Sequence, residues 1–235
     1  MVAIDRSLKQ VYEMNAEELV SCLNMHRKQA ENFYTDLHDP TTSERLLRGQ
    51  PSTNYNIVTR FDDDYPKLLQ QIYDPPWVLF YRGDLSLAQH DLSLAVVGAR
   101  RHSAEALPKM QKVITPLIRS GWCIVSGLAY GIDAMAHRLT LSEKGRTIAV
   151  LGSGVNRIYP SAHERLANII AKKGLLLSEF LPDQPAQKWQ FPQRNRLISG
   201  LTKGTLVVEA KKKSGSLITA DQALEQGREV FAIPG

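Results

Sequence analysis

The chain has 235 residues, 43% apolar and 23% charged, a balance suited to one α/β domain with a smaller companion. No run approaches the roughly 18 consecutive apolar residues of a membrane helix, and the opening residues lack the apolar block of a signal peptide. The net charge of +5 is unevenly placed: residues 1–90 carry 9 Lys/Arg against 13 Asp/Glu, whereas residues 91–235 carry 20 against 11. A basic second part favours a polyanionic partner without distinguishing nucleic acid from acidic phospholipid or a merely soluble surface.

From Leu8 to about Leu47 the apolar residues Leu19, Val20, Leu23, Phe33 and Leu37 recur with roughly helical spacing, which predicts two or three short helices in a small domain over residues 1–50. Cys22 lies here and Cys123 in a later apolar segment. Two such cysteines fit neither a disulfide scaffold nor a zinc site, and the expected location is a reducing cytoplasm. The turn-rich Gly49-Gln-Pro-Ser-Thr-Asn54 closes this part. Residues 51–90 then read as an extended linker packed on the next domain. Within it Tyr65-Pro66, Asp74-Pro75-Pro76 and the run Trp77 to Tyr81 exclude a long helix and predict extended chain and short turns.

Residues 91–235 form the α/β part. Six short apolar runs begin at Leu94, Trp122, Thr147, Leu175, Thr205 and Glu229, separated by helix-length stretches such as Ser103 to Arg119, Ile132 to Ser142 and Ala162 to Lys172. This alternation predicts βαβ units on a parallel or mostly parallel sheet covered on both faces. Ligands of such sheets bind beyond the carboxyl ends of the strands. The small and charged residues collect there: Gly98-Ala-Arg100-Arg101, Ser126-Gly-Leu-Ala129, Gly152-Ser-Gly154, and Glu209-Ala210 with Lys211 to Ser216 beyond.

Ser126-Gly-Leu-Ala-Tyr-Gly-Ile-Asp133 has the glycines and following helix of an anion-binding loop, but matches neither the dinucleotide fingerprint nor the P-loop. Lys213-Ser-Gly-Ser-Leu-Ile-Thr219 repeats the chemistry, with Ser216 as expected N-cap. Two helix N-termini are thus expected to receive successive phosphates. Arg100, Arg194 and Arg196 are the expected guanidinium ligands, since guanidinium matches phosphate geometry. Phe191-Pro-Gln-Arg194-Asn-Arg196 adds a ring beside cations, the combination that holds single strands without reading sequence; Phe191 serves a core equally well. For catalysis the candidates are Asp133 with His137 on one helix face, and Glu179 and Glu209 at strand ends. The pair is more often structural, and the glutamates, which have no partner in sequence, are equally good as acceptors that shape the site. No H-E-x-x-H or G-x-S-x-G occurs.

Ordered blocks from Tyr65 to Gly235 resemble the DNA-processing protein A (DprA, or Smf) family: Tyr65-Pro66 with Pro75-Pro76 and Tyr81-Arg-Gly83; Val96-Val-Gly-Ala-Arg100; Ser126 to His137; Ala149 to Gly154 with Ile158-Tyr-Pro160; Glu179 with Phe191 to Ser199; and Glu209-Ala210 with Ser214 to Ala220 through Gly227 to Gly235. The resemblance implies an extended Rossmann-like fold that binds single-stranded DNA, forms a homodimer, and loads the RecA recombinase onto incoming DNA in natural transformation. It implies no enzyme activity and no cofactor. By motif, the DNA-binding positions are Arg100, Ser126, Gly127, Gly152, Ser153, Gly154, Arg194, Arg196, Gly215 and Ser216, with Phe191 and Asn195 in the pocket wall. Members normally continue past the point matching Pro234-Gly235, so a longer chain is expected. The alternative is a phosphoribohydrolase-like enzyme using Glu209 or Glu179 at the scissile bond with Arg100 on the phosphate.

Overall fold

The computed structural model describes residues 9–41, 54–212 and 214–234. The chain divides into two compact units, Met1–Thr53 and Asn54–Gly235.

In the first unit, α1 spans Lys9–Glu13, α2 Ala16–Leu23 and α3 Arg27–His38. Asn15 starts α2 with a reciprocal cap: its side chain accepts the N–H groups of Glu17 and Glu18 at 3.0 Å, and the Glu18 carboxylate accepts Asn15 N–H at 2.8 Å. This satisfies helix-end donors that otherwise face water unpaired. Asn24 ends the helix in the left-handed conformation, one that asparagine tolerates. Leu19 of α2 and Ala30 of α3 are fully buried. The helical pattern expected toward Leu47 lies outside the described residues beyond 41.

The second unit is a single sheet, eight-stranded among the described residues, in the order β1-β2-β6-β5-β4-β3-β7-β8. Its strands are β1 Asn56–Thr59, β2 Val78–Gly83, β3 Ser93–Val97, β4 Cys123–Ser126, β5 Arg146–Val150, β6 Leu175–Ser178, β7 Gly204–Val207 and β8 Glu229–Ala232. From β6 to β8 all neighbours are parallel, as the alternating pattern predicts. The segment read as extended chain and turns supplies β1, the short helix α4 (Lys67–Gln70) and β2, and both strands join the sheet antiparallel. The prolines act at their ends: the buried Tyr65 hydroxyl donates to Pro76 O at 2.7 Å and closes the loop between them.

Strand alternation divides the core. Ala95 and Val97 of β3 face a cluster with Leu69, Leu197, Ile198 and Ala220, while Leu94 and Val96 face Met110, Ile114, Ile132 and Ala136. One face is therefore covered by α4, α8 (Gln190–Gly200) and α9 (Gly215–Glu225); the other is covered by α5 (Ala106–Arg119), α6 (Ile132–Ser142) and α7 (Glu164–Lys173). Each fully buried leucine or isoleucine contributes about 1.5–3 kcal/mol. The winding direction reverses between β3 and β7, and a crevice opens at their carboxyl ends, the place where such sheets take ligands. No helix among the described residues is long and apolar enough to cross a membrane.

Candidate functional site

At that crevice lies a cleft of about 710 Å³. The β3 end contributes Gly98 to Arg101, the loop after β4 Ala129, α6 Asp133, α8 Phe191, Arg194 and Asn195, and the β7–α9 connection Lys211, Ser214, Gly215 and Ser216. Its described lining carries Arg100, Arg101, Lys188, Arg194 and Lys211 against a single carboxylate, Asp133. A small pocket that shares part of this lining is walled by Tyr130, Tyr159 and Phe191 with Arg100, Gly127 and Arg194. Tyr159 packs at 5.5 Å from Phe191, and the Arg100 guanidinium lies 5.7 Å from the Phe191 ring centre. Tyr130 rests edge-on against His163, whose Nδ1 bonds to Leu128 O at 2.9 Å. Exposed rings among cations offer stacking and phosphate contacts together.

Six expected residues line the main cleft: Arg100, Phe191, Arg194, Asn195, Gly215 and Ser216. Gly127 borders the small pocket beside it. Ser214, rather than Ser216, is the N-cap of α9, and no side chain caps the helix; the Ser214 and Ser216 hydroxyls bond each other at 2.8 Å. Asn195 Nδ2 donates to Gly215 O at 3.3 Å and ties α8 to this helix start. The expected Lys213 contribution lies outside the described residues.

The other helix start is already filled. Asp133, in the first turn of α6, accepts the Gly127 N–H at 3.1 Å and the Ala129 N–H. Its carboxylate thus takes the place expected for a phosphate on the Ser126–Gly127 loop. Ser126 is buried and its hydroxyl donates to Val96 O at 2.6 Å. Gly152, Ser153 and Gly154 also stay out of the lining. Ser153 is buried and its carbonyl accepts the Ser178 hydroxyl at 2.7 Å. A Cβ on Gly152 would meet the Phe191 ring at 2.7 Å, so this glycine makes room for the ring.

The arginines divide in the same way. Arg194 is buried, and its Nη1 donates to Gly127 O at 2.6 Å and to Val150 O, while Nε donates to the Asn195 side chain at 3.2 Å. It braces the loops after β4 and β5 from beneath the cleft. A Cβ on Gly127 would come within 2.7 Å of that guanidinium. Arg196 points elsewhere: it pairs with Glu179, with Asp74 at 3.6 Å, and does not line the cleft. Arg100 and Arg101 are the exposed pair. Sequence reasoning did not single out Tyr130, Tyr159 or Lys188; it placed Arg101 at the β3 end without a role and weighed Asp133 only as a catalytic partner of His137. Tyr130 and Tyr159 sit inside the two tyrosine-containing glycine blocks, and that placement was their available signal.

The carboxylates considered for catalysis are committed. Glu179 holds Arg196, and burial raises its pKa. Glu209 accepts Ser103 N–H and Oγ–H, which holds its pKa below the ordinary carboxylate range. Asp133 and His137 do not pair: His137 Nδ1 bonds Thr147 Oγ1 at 2.7 Å, away from Asp133's partners. No group of three or more His, Cys, Asp or Glu fit to hold a metal occurs among the described residues.

A doubly wound, mostly parallel sheet with a cationic, ring-lined cleft at its reversal point defines a Rossmann-like α/β protein whose site is chemically suited to a phosphate-bearing ligand. Residues 56–235 match the family model for DNA recombination-mediator protein A, and the chain belongs to that family. It is 46% identical to the DNA processing protein DprA of Bacillus subtilis over 209 residues, 89% of this chain and 68% of that one. The crystal structure of DNA processing protein A from Streptococcus pneumoniae superposes with a TM-score of 0.75 at 42% identity, covering 86% of this chain and 74% of that one. The DNA processing protein A of Helicobacter pylori, whose structure concerns its single-stranded DNA binding mode, superposes at 0.70 with 31% identity, covering 77% and 81%. The chain spans between about half and two thirds of the length of the curated relatives it matches.

Proposed function

We propose that this chain binds single-stranded DNA in the cleft between the β3 and β7 ends and that, as a cytoplasmic homodimer, it loads RecA recombinase onto DNA during uptake and natural transformation. The observation that carries the DNA part is the cleft itself, where Arg100, Arg101, Lys188 and Lys211 surround exposed tyrosine rings and Phe191. Cations grip the backbone and rings stack on bases, and neither reads base edges, so binding is expected to be sequence-tolerant. Membership of a recombination-mediator family supports the second part. On this reading the direct contacts fall to Arg100, Phe191, Asn195, Gly215 and Ser216, together with Arg101, Lys188, Lys211, Tyr130 and Tyr159. Arg194 and Gly127 shape the floor.

The test is an anisotropy titration of a labelled single-stranded oligonucleotide and the matching duplex. The single strand is expected to bind tighter, and Arg100→Ala to weaken it about tenfold or more through the loss of charge-assisted contacts. Equal binding by a folded Arg100→Ala protein, or no binding to either DNA, overturns the assignment of the cleft.

A further inference from the structure

The residues that present the cleft's exposed guanidinium groups lie on the loop between β3 and α5. Arg100, Arg101 and His102 are all exposed; the Arg100 guanidinium reaches the Phe191 ring at 5.7 Å, and holding it there depends on how the loop backbone is anchored. One residue closes this loop at both ends. The Glu209 carbonyl accepts Ala99 N–H at 2.7 Å. Its carboxylate accepts Ser103 N–H at 3.0 and 3.2 Å and the Ser103 hydroxyl at 2.8 Å. Residues 100–102 are therefore spanned between two anchors on the same glutamate. A third tie, Ile132 N–H to Ala99 O at 3.2 Å, joins the base of the loop to α6. Glu209 itself does not line the cleft.

We infer that Glu209 is a positioning residue for the DNA grip: it clips the arginine loop into place and so strengthens the hold on a polyanion despite its own negative charge. The inference rests on the reading of the cleft as a phosphate site. The two effects of this carboxylate oppose each other. As a charge near the rim it repels phosphate, but that repulsion is screened in water at physiological salt. As a clip it orders two arginines before DNA arrives, and ordering rotamer-rich side chains at the moment of binding lowers affinity substantially. The geometry favours the clip, because both donors of Ser103, the N–H shared between the two oxygens and the hydroxyl, converge on the carboxylate.

Glu209→Ala and Glu209→Gln separate the two effects, with Arg100→Ala as the reference. Both Glu209 substitutions remove the same charge, but only glutamine keeps an acceptor oxygen. Glu209→Ala is expected to raise the Kd for the single-stranded oligonucleotide about fivefold or more, and Glu209→Gln to recover most of the loss. Binding by Glu209→Ala that equals or exceeds wild type, while Arg100→Ala still loses affinity, overturns the clip and leaves the cleft assignment standing. An unaffected Arg100→Ala protein overturns the cleft assignment, and the clip with it. Should Glu209→Ala fail to fold, Ser103→Pro, which removes both the N–H and the hydroxyl that Glu209 accepts, carries the test: weaker single-strand binding supports the clip, and unchanged binding overturns it.

Discussion

Arg100 and Arg194 show how one residue type can carry different duties around one cleft. Arg100 faces solvent in the cleft, whereas Arg194 lies below it with its donors on Gly127 and Val150 carbonyls. Burial pushes the Arg194 guanidinium down to about 10, so it remains a cation at neutral pH. Burial pushes the Asp133 carboxyl up, against the pull of Arg194 and two backbone N–H groups. Sequence gave no means of separating Arg100 from Arg194, since both are arginines in motif blocks and only the partners of each guanidinium tell them apart. His137 yields a prediction at this scale. The Thr147 hydroxyl donates to Ile124 O, so His137 Nδ1 must be the donor to Thr147. Burial pushes the buried imidazole down to about 3, with Arg194 and His163 adding repulsion. The unfolded chain takes up a proton near pH 6.5 that the folded chain refuses. Stability from this site is therefore fully present above about pH 6.5 and declines as pH falls toward the folded value. In denaturant melts from about pH 7 to about pH 4.5, His137→Gln is expected to lose less stability than wild type does; equal slopes would remove His137 from the acid sensitivity.

Among the elements, the six parallel strands were legible because they are short apolar runs; five of them are buried almost throughout, all five residues of β3 included, while β8 at the sheet margin is mostly exposed and was legible by its apolar run alone. Their boundaries fall within a residue or two of the runs, and α6 has the expected bounds of Ile132 and Ser142. Strands β1 and β2 were not legible as strands. They lie toward one margin of the sheet with mixed burial, and the prolines around them mask short strands as readily as they exclude helices. Gly83 at the end of β2 is a sharp test of how this pair is joined. Its φ is +108°, and a Cβ there would stand 2.2 Å from Gly174 O at the start of β6. Gly83→Ala is expected to cost about 1–3 kcal/mol from backbone strain alone, with the β2–β6 pairing disturbed besides. An unchanged urea midpoint would contradict the close approach.

For the whole molecule, the excess of Lys and Arg after residue 90 favours a polyanionic partner, and part of that charge converges on the cleft. If about three phosphates of a single strand are engaged, log K should fall against log salt with a slope of about −2, or roughly an order of magnitude in affinity between 50 and 200 mM. A flat salt response would place the binding on rings alone. By itself, the sequence determined the alternation of strands and helices, the end of the sheet that carries the site, and the residue types gathered there, because these depend on local periodicity and on the rule that ligands meet strand carboxyl ends. The tertiary structure alone decided which of those groups are available. Gly127 N–H is taken by Asp133, Arg196 by Glu179, and Ser103 by Glu209 across 106 residues of chain. The partners of Arg196 and Ser103 come from 17 and 106 residues away and that of Gly127 from the helix start six residues on, and none of these pairings is encoded in local periodicity, because it is the folded backbone that sets which donor meets which acceptor.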